Sequence, residues 1–348
     1  MADEQDMSKH RDQSMDKELS AFSNFCSSID FGKVLFSDEE KLFSEHMQQS
    51  IMRTIKSLPL PVQTDVMLEL MRHLKLPLKR DIDFLKVFYP PTWSILYWLY
   101  ITFDDGSVFS KRDLQNYRTI HSAAMLLHLI DDHLADGDLR ATHRVLLLRS
   151  QLWVTMNRAL SDQTKGKDGD FQTAWKYIDT FYASIGNAQG LNSLNTYCLW
   201  FKQQMGMGFI APVLMTKKIT EDVRLIKAVE TLFGAFGTAW RLLDDLQDIP
   251  TDMQKSTRSS VYMCLPERIK RHWCLNRPAT AAKVEHTESI VQSIIEQKII
   301  ERLISRICQE LDLASSIADS IKIQGYASEL RSLAKSLKNL TFDEKMLR

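Results

Sequence analysis

Six aspartates fall into two sets whose spacing could hold divalent cations. In "HLIDDHLADGDLR", residues 128–140, Asp131, Asp132 and Asp136 follow the apolar run Ala123–Leu129. In "WRLLDDLQDIPTD", residues 240–252, Asp244, Asp248 and Asp252 recur at i, i+4 and i+8, with Asp245 beside the first. On an α-helix Asp132 and Asp136 share one face. Asp131 is turned about 100° from Asp132 and sits only partly on that face. If the second helix continues past Pro250, its three carboxylates line one stripe, with Asp245 off it. Like charges one turn apart repel, and Asp is a poor helix former. Such clusters at the ends of apolar helices cost stability unless cations neutralise them. Hard oxygen ligands select Mg²⁺ or Mn²⁺, and Mg²⁺ is commonly bound through a few carboxylates plus substrate phosphates. Two facing clusters would suit a diphosphate held between them. A solvated helix end has the same local sequence, so both readings stand on spacing alone.

Helices must position these groups. The chain has 348 residues but only 12 Gly and 9 Pro, a scarcity of turn residues that favours long helices. Helical periodicity dominates from Asp38 onward. "SDEEKLFSEHMQQSIMRTIKSL" opens with Ser37 as an N-cap, and "PVQTDVMLELMRHL" has Pro61 at its start. "PPTWSILYWLYITF" forms a third helix. "SKRDLQNYRTIHSAAMLLHLIDDHLAD" is capped at Ser110 and ends near Gly137. The stretches "DLRATHRVLLLRSQLWVTMNRAL", "FQTAWKYIDTFYASIGN", "LNTYCLWFKQQMGMGFIAPVLMTKK" and "EDVRLIKAVETLFGAFGTAWRLLDDLQDI" follow as four more. "TDMQKSTRSS" reads as a polar, basic loop. Ala279–Gly325 carries apolar residues at helical spacing, with no Pro or Gly before its last residue. No alternating strand pattern and no internal repeat occurs. The expectation is one all-α domain of about ten to thirteen helices over residues 19–348, after a polar tail, 1–18, with too little to bury to be ordered.

Lys+Arg and Asp+Glu both number 44, so no global field draws the chain to nucleic acid or an acidic membrane. The cysteines (Cys26, Cys198, Cys264, Cys274, Cys308) are scattered without a CxxC pair, which points to a reducing, cytoplasmic setting. The N-terminus has no apolar signal region. The longest apolar run, "TWSILYWLYITF", has twelve residues and is too short to span a bilayer.

The sequence "IHSAAMLLHLIDDHLADGDLR" resembles the first aspartate-rich motif of trans-isoprenyl diphosphate synthases. "FGTAWRLLDDLQDIPTD" resembles their second motif, and its i, i+4, i+8 spacing also resembles the metal triad of class I terpene synthases. "NTYCLWFKQQMGMGFIAPVL" is similar to the Tyr-Cys helix of squalene and phytoene synthases. The resemblance covers roughly residues 110–262. It implies a helical bundle around a deep apolar cavity, whose mouth binds three Mg²⁺ ions (Mn²⁺ as the alternative) and a prenyl diphosphate through Asp131, Asp132, Asp136, Asp244, Asp248 and Asp252. The metals would pull off the diphosphate and leave an allylic cation, chemistry that needs no side-chain nucleophile. Homodimers through helix packing are a further implication.

Three departures stand out. The Gly-Lys-Arg that holds isopentenyl diphosphate in chain-elongating synthases is missing, with "LKRD", Leu78–Asp81, as a weak echo. After the first motif Arg140 matches the family's first Arg, but Ala141 replaces the second. The acid spacing is DDxxxD, and Asp248 stands where bacterial cyclases carry Ser or Thr. The expected activity is therefore that of a terpene synthase on a prenyltransferase-like scaffold. The alternatives are a prenyltransferase using isopentenyl diphosphate or another acceptor, and a non-catalytic partner subunit of the same fold.

A diphosphate leaving group needs further cations. Arg118, Arg140, Lys202, Arg241, Lys255 and Arg258 are the candidates. Lys202 interrupts an apolar helix, as a snorkelling lysine would, and Arg241 is placed to pair with Asp244 or Asp245. Lys255 and Arg258 lie where the family has a phosphate-binding lysine. Trp200, Phe209, Phe236 and Trp240 could face a carbocation, though each also suits plain core packing. In the family it resembles, bulk one to two turns below the first motif limits chain length; small Ala123 and Ala124 there, with Leu126 and Leu127 rather than aromatics, imply a prenyl chain of C15 or longer, with C20 and above favoured.

Overall fold

The computed structural model describes residues 19–77, 82–185, 190–275 and 282–340. The tail 1–18 and the Leu78–Asp81 echo lie outside the described residues. Sixteen α-helices and no strand occur among the described residues. In chain order they are α1 (19–28), α2 (Asp38–Lys56), α3 (Leu60–His73), α4 (Pro91–Phe103), α5 (Lys111–Ala135), α6 (His143–Gln163), α7 (Asp168–Ile185) and α8 (Leu194–Gln204). Then come α9 (Gly206–Ile219), α10 (Val223–Gln247), α11 (Ile249–Lys255), α12 (Ser260–Cys264), α13 (Glu267–Leu275), α14 (Ala282–Glu296), α15 (Ile299–Ser320) and α16 (Gln324–Lys338). A single 3₁₀ turn, Phe84–Val87, precedes α4.

The expected caps are present. Ser37 and Ser110 each close a capping box, with Glu40 and Asp113 reaching back to the cap. Pro61 stands in the first turn of α3. α5 packs along α6, α9 and α2, while α10 packs along α15, α9 and α8. The two 25-residue helices α5 and α10 thus run through the core and end with their acids at one side.

The helix count exceeds the expectation because the backbone breaks inside stretches whose apolar periodicity runs on. The stretch read as one helix over 194–218 divides at Met205 into α8 and α9. Gly206 explains the break: a Cβ there would stand 2.4 Å from the Tyr177 carbonyl oxygen and 3.2 Å from Phe181 Cβ, so α9 begins in close contact with α7. The long C-terminal stretch divides at Lys298 and Lys322, both left-handed (φ 50 and 69). The basic loop after the second motif is half helix: α11 runs to Lys255, and Ser256 (φ 58) ends it.

Among the described residues, aromatic side chains pack against one another beneath the acidic ends. Phe209 stacks on Tyr177 at 5.6 Å and meets Phe233 edge-on at 5.5 Å, and Phe233 lies 6.1 Å from Phe236. Met125 Sδ and the Phe233 ring crowd Gly208. Ala124, Leu127 and Phe236 have no accessible surface, and Ala123 has almost none. These residues, read from the sequence as lining a cavity, are core packing in this structure, and the small side chains at 123 and 124 therefore carry no argument about chain length.

Gly206→Ala should cost about 1–3 kcal/mol, because the clash is with backbone and cannot be relieved by a rotamer change. Urea unfolding monitored by circular dichroism measures this, and a loss below ~0.5 kcal/mol, the size of an ordinary surface substitution, would show that α7 and α9 are not in tight register.

Candidate active site

A cleft of ≈ 520 Å³ opens where α5 and α10 end. Asp132 and His128 enter it from α5, and Trp240, Arg241, Asp244 and Gln247 from α10. The turn after α3 supplies Lys75, the 3₁₀ segment Lys86, Phe88 and Tyr89, and α8 supplies Phe201. One acid from each motif therefore faces the same space. Both lie in the last turn of a helix, where the macrodipole is negative and a carboxylate is least welcome.

The electrostatics register the crowding. Burial pushes the Asp244 carboxyl up to about 6, Arg241 opposes this, and Asp245, Asp248 and Asp132 raise it further. Burial also raises Asp136, helped by Asp132. Asp248 is raised by burial too, with Arg241, Lys255 and Lys75 pulling the other way. Asp252 is pushed up to about 7, again chiefly by burial. No donor among the described residues bonds the side chain of Asp132, Asp136 or Asp248.

Asp131 and Asp245 behave differently. Asp131 is buried and turned away from the cleft: Arg149 on α6 grips it through Nε at 2.5 Å and Nη2 at 3.1 Å, and the Tyr182 hydroxyl donates to Oδ2. As placed, it is an anchor between α5, α6 and α7 and lies apart from its neighbour Asp132. Asp245 forms an ion pair with Arg241 (Nε at 2.9 Å) and accepts from the Tyr197 hydroxyl (3.1 Å) and the Ser260 backbone N–H (2.8 Å), tying α10 to α8 and α12. α10 ends at Gln247 and α11 starts at Ile249, yet the Asp248 N–H donates to Asp244 O (2.9 Å) and the Asp252 N–H to Asp248 O (2.8 Å), so the helical path runs on through the motif to Asp252, 8% exposed.

Of the expected cations, only Arg241 lines the cleft, held by Asp245, Asp244 (3.6 Å) and the Tyr197 hydroxyl (2.8 Å). Lys255 pairs with Asp138 at 2.5 Å, linking the segments that follow the two motifs. Lys202 turns to Glu310 on α15 (4.0 Å), away from the cleft, as a snorkelling lysine does. Arg118 lies over the Phe43 ring on α2, 4.3 Å from its centroid. Arg258 lies over Tyr262 at 5.8 Å, and Arg140 is exposed. Of the expected aromatics, Trp240 faces the cleft with Phe88 and Tyr89 against it at 6.3 and 6.4 Å. Trp200 instead donates to the Ser184 carbonyl at 3.0 Å.

Sequence reasoning missed Lys75, Lys86 and the His73–His133 pair, whose ring nitrogens meet at 2.6 Å on the cleft wall. It also missed Arg149 and Tyr182, whose contact with Asp131 depends on how α6 and α7 pack.

No protein-family profile matches this chain, and no curated protein matches it. Solved structures do. A polyprenyl synthetase from Streptomyces coelicolor superposes with a TM-score of 0.61 at 13% identity, covering 85% of this chain and 98% of that one. The class I isoprenoid synthase fold is shown. A geranylgeranyl pyrophosphate synthase from Lactobacillus brevis, complexed with citrate, gives 0.61 at 14% identity over 86% of this chain and 95% of its own. A polyprenyl synthase from Caulobacter crescentus, complexed with calcium and isoprenyl diphosphate, gives 0.60 at 14% over 85% and 94%. No helix among the described residues is long and apolar enough to cross a membrane.

A divalent cation fits the cleft's chemistry. Among the described residues no three His, Cys, Asp or Glu side chains converge to hold a metal by themselves. Mg²⁺ asks less of a protein: one or two carboxylates, with water and phosphate completing the shell. Asp132 from α5 and Asp244 from α10, which line the same cleft, meet that demand. Protons compete with metal at Asp244, whose affinity for protons is raised. Mg²⁺ at millimolar concentration should therefore raise Tm more at pH 8 than at pH 5.5 in a thermal-shift titration. An equal shift at both pH values would place the ion elsewhere.

Proposed function

We propose that this chain is a divalent-metal-dependent prenyltransferase that ionises an allylic prenyl diphosphate in the α5–α10 cleft and passes the prenyl cation to isopentenyl diphosphate. One observation carries the reading: Asp132 and Asp244 face one cleft that also holds Lys75, Lys86 and Arg241. Two acids suit a metal-bound diphosphate, and lysines on a separate wall suit a second anionic substrate. They offset the missing Gly-Lys-Arg, the main sequence argument for a terpene synthase. The solved structures of similar fold, named as polyprenyl and geranylgeranyl diphosphate synthases, support the same choice.

The protein's own groups have separable tasks. Asp132 and Asp244 hold the metal-bound diphosphate, and Arg241, fixed by Asp245 and Tyr197, meets its oxygens. Bound Mg²⁺ would supply the Lewis-acid charge that weakens the C–O bond. Trp240, Phe88 and Phe201 line the cleft, where a ring face would stabilise the allylic carbon as positive charge develops. Lys75 and Lys86 orient the acceptor diphosphate so that its double bond forms the new C–C bond. The resulting cation then loses a proton to the released diphosphate.

The second reading is a terpene synthase using the same metals and cleft. It draws on Ala141 in place of the second arginine and on the exposed position of Arg140. Incubation with Mg²⁺ and C10, C15, C20 or C25 prenyl diphosphates, with and without isopentenyl diphosphate, separates the two. A longer diphosphate formed only with isopentenyl diphosphate is the expected result. A hydrocarbon or alcohol formed without it would establish the terpene synthase and overturn the transfer reading. Asp132→Ala and Asp244→Ala should each abolish turnover under both readings. Lys75→Ala and Lys86→Ala should raise the KM for isopentenyl diphosphate on the order of tenfold or more, the size of a lost charge-assisted contact, with the allylic KM little changed. An equal effect on both substrates would remove the lysines from acceptor binding.

A further inference from the structure

Two histidines meet on the cleft wall. His73 is the last residue of α3 and His133 lies in the last turn of α5, and both line the cleft. His73 Nε2 and His133 Nδ1 stand 2.6 Å apart, with the rings edge-on at 75°. Two imidazole lone pairs cannot face each other at that distance. Either a proton lies between them, which makes one ring the donor, or a metal ion does. Among the described residues neither ring makes another hydrogen bond.

The backbone holds both rings in place. Leu74 N–H donates to Leu70 O and Leu76 N–H to Met71 O, each at 2.9 Å, so α3 closes just past His73, with Lys75 left-handed (φ 52). Leu139 N–H folds back onto His133 O at 2.9 Å. Val66, Leu70, Ile130, Leu139 and Leu148 line a small apolar space with His73. Donors fixed by packing on two helices are what a metal site asks of its protein. The negative helix ends that disfavour the acids also favour a cation here.

Donor type sorts the ions. Mg²⁺ takes oxygen from carboxylate, water and phosphate, whereas imidazole nitrogen suits Zn²⁺, Ni²⁺ and Cu²⁺. We propose that His73 Nε2 and His133 Nδ1 bind a transition-metal ion, Zn²⁺ or Cu²⁺, with water completing its shell. The site goes beyond the proposed reaction, because it needs neither substrate nor the acids that suit Mg²⁺. Binding asks two things of the pair. The donor ring changes tautomer: a proton leaves its facing nitrogen and one joins its outer nitrogen, so no net proton is released. The rings also part, because two nitrogens ~2.0–2.1 Å from a tetrahedral Zn²⁺ lie ~3.3 Å from each other, roughly 0.7 Å wider than here. Both rings are half-buried beside an open cleft, which leaves room for that movement. Two protein ligands, rather than the three or four of a dedicated zinc site, make the ion exchangeable.

A second histidine pair lacks this geometry. His272 on α13 and His286 on α14 meet at 4.7 Å with their rings tilted by 36°, but no nitrogen–nitrogen contact joins them among the described residues. Lone pairs in the ring plane ligate metal and ring faces do not, so this pair should not hold the ion. Asp244 separates the other rival. An ion held by the cleft acids would depend on Asp244, and an ion held by the two rings would not.

Untagged full-length protein, stripped of metal, is titrated with Zn²⁺ by calorimetry, with and without excess Mg²⁺. The Cu²⁺-loaded protein is read by electron paramagnetic resonance. One Zn²⁺ should bind that excess Mg²⁺ does not displace. Its affinity should fall about tenfold or more in His73→Phe and in His133→Phe, at least the loss expected for a supporting group. Asp244→Asn and His286→Phe should leave it little changed. The Cu²⁺ spectrum should show coupling to two nitrogens, and to fewer in either of the first two variants. A wild-type Cu²⁺ spectrum without nitrogen coupling would overturn the site whatever the variants do, including failure to fold. So would a Zn²⁺ affinity unchanged in both His73→Phe and His133→Phe. Displacement of Zn²⁺ by Mg²⁺, or an equal loss in Asp244→Asn, would put the ion on the acids instead. No readout uses substrate, so this site and the proposed reaction stand or fall separately.

Discussion

Two long helices end in carboxylates that line one cleft, and much of the surrounding structure answers the repulsion this creates. Each helix already presents its negative end there. A stable protein would ordinarily place lysine or arginine in those last turns. Here the apolar stripes of α5 and α10 are buried deeply enough to hold the acids in place regardless. The burial that raises Asp244 and Asp252 is the same burial that fixes the cleft's walls. Arg241 is the main internal counter-charge, immobilised by Tyr197 and Asp245. It moderates the repulsion without cancelling it, and the remainder is available to drive cation binding.

Adjacent aspartates within each motif have divided their labour. In each Asp-Asp pair one residue faces the cleft and the other ties helices together. Asp132 and Asp244 take the first role, Asp131 and Asp245 the second. Neighbours on a helix point about 100° apart, so a doubled acid offers one group to the cleft and one to the packing behind it. The anchors have demanding environments of their own. Removing Arg149 or Tyr197 would leave a buried carboxylate short of donors, which propagates to the facing acid one residue away.

The helical class, the caps at Ser37 and Ser110, the pairing of Arg241 with its acids, and the meeting of two acidic helix ends could all be read from residue order. They depend on local spacing and on apolar stripes, which a sequence displays directly. The breaks at Met205, Lys298 and Lys322 could not, because tertiary contacts impose them: Gly206 is pressed against α7, and two lysines adopt left-handed backbone where glycine would have signalled a stop. Lys202, Arg118 and Trp200 were drawn toward the site by residue type alone, whereas their direction depends on which helix lies opposite. Lys75 and Lys86 went unseen for the reverse reason. They belong to a turn and a 3₁₀ segment with no motif, and only the path of the chain brings them to the acids.

The Lys255–Asp138 bridge has a consequence for how charge is exchanged. Both side chains are about half exposed (50% and 44%), so the pair is weak and easily given up. It acts as an internal counterion resident until an external one arrives. Under the proposed function, an incoming diphosphate would compete with Asp138 for Lys255. Added salt weakens the resident bridge and the newcomer's contacts together. The ionic-strength dependence of diphosphate association should therefore be shallower than the count of charged residues implies, because part of the screening is already present in the protein before anything binds.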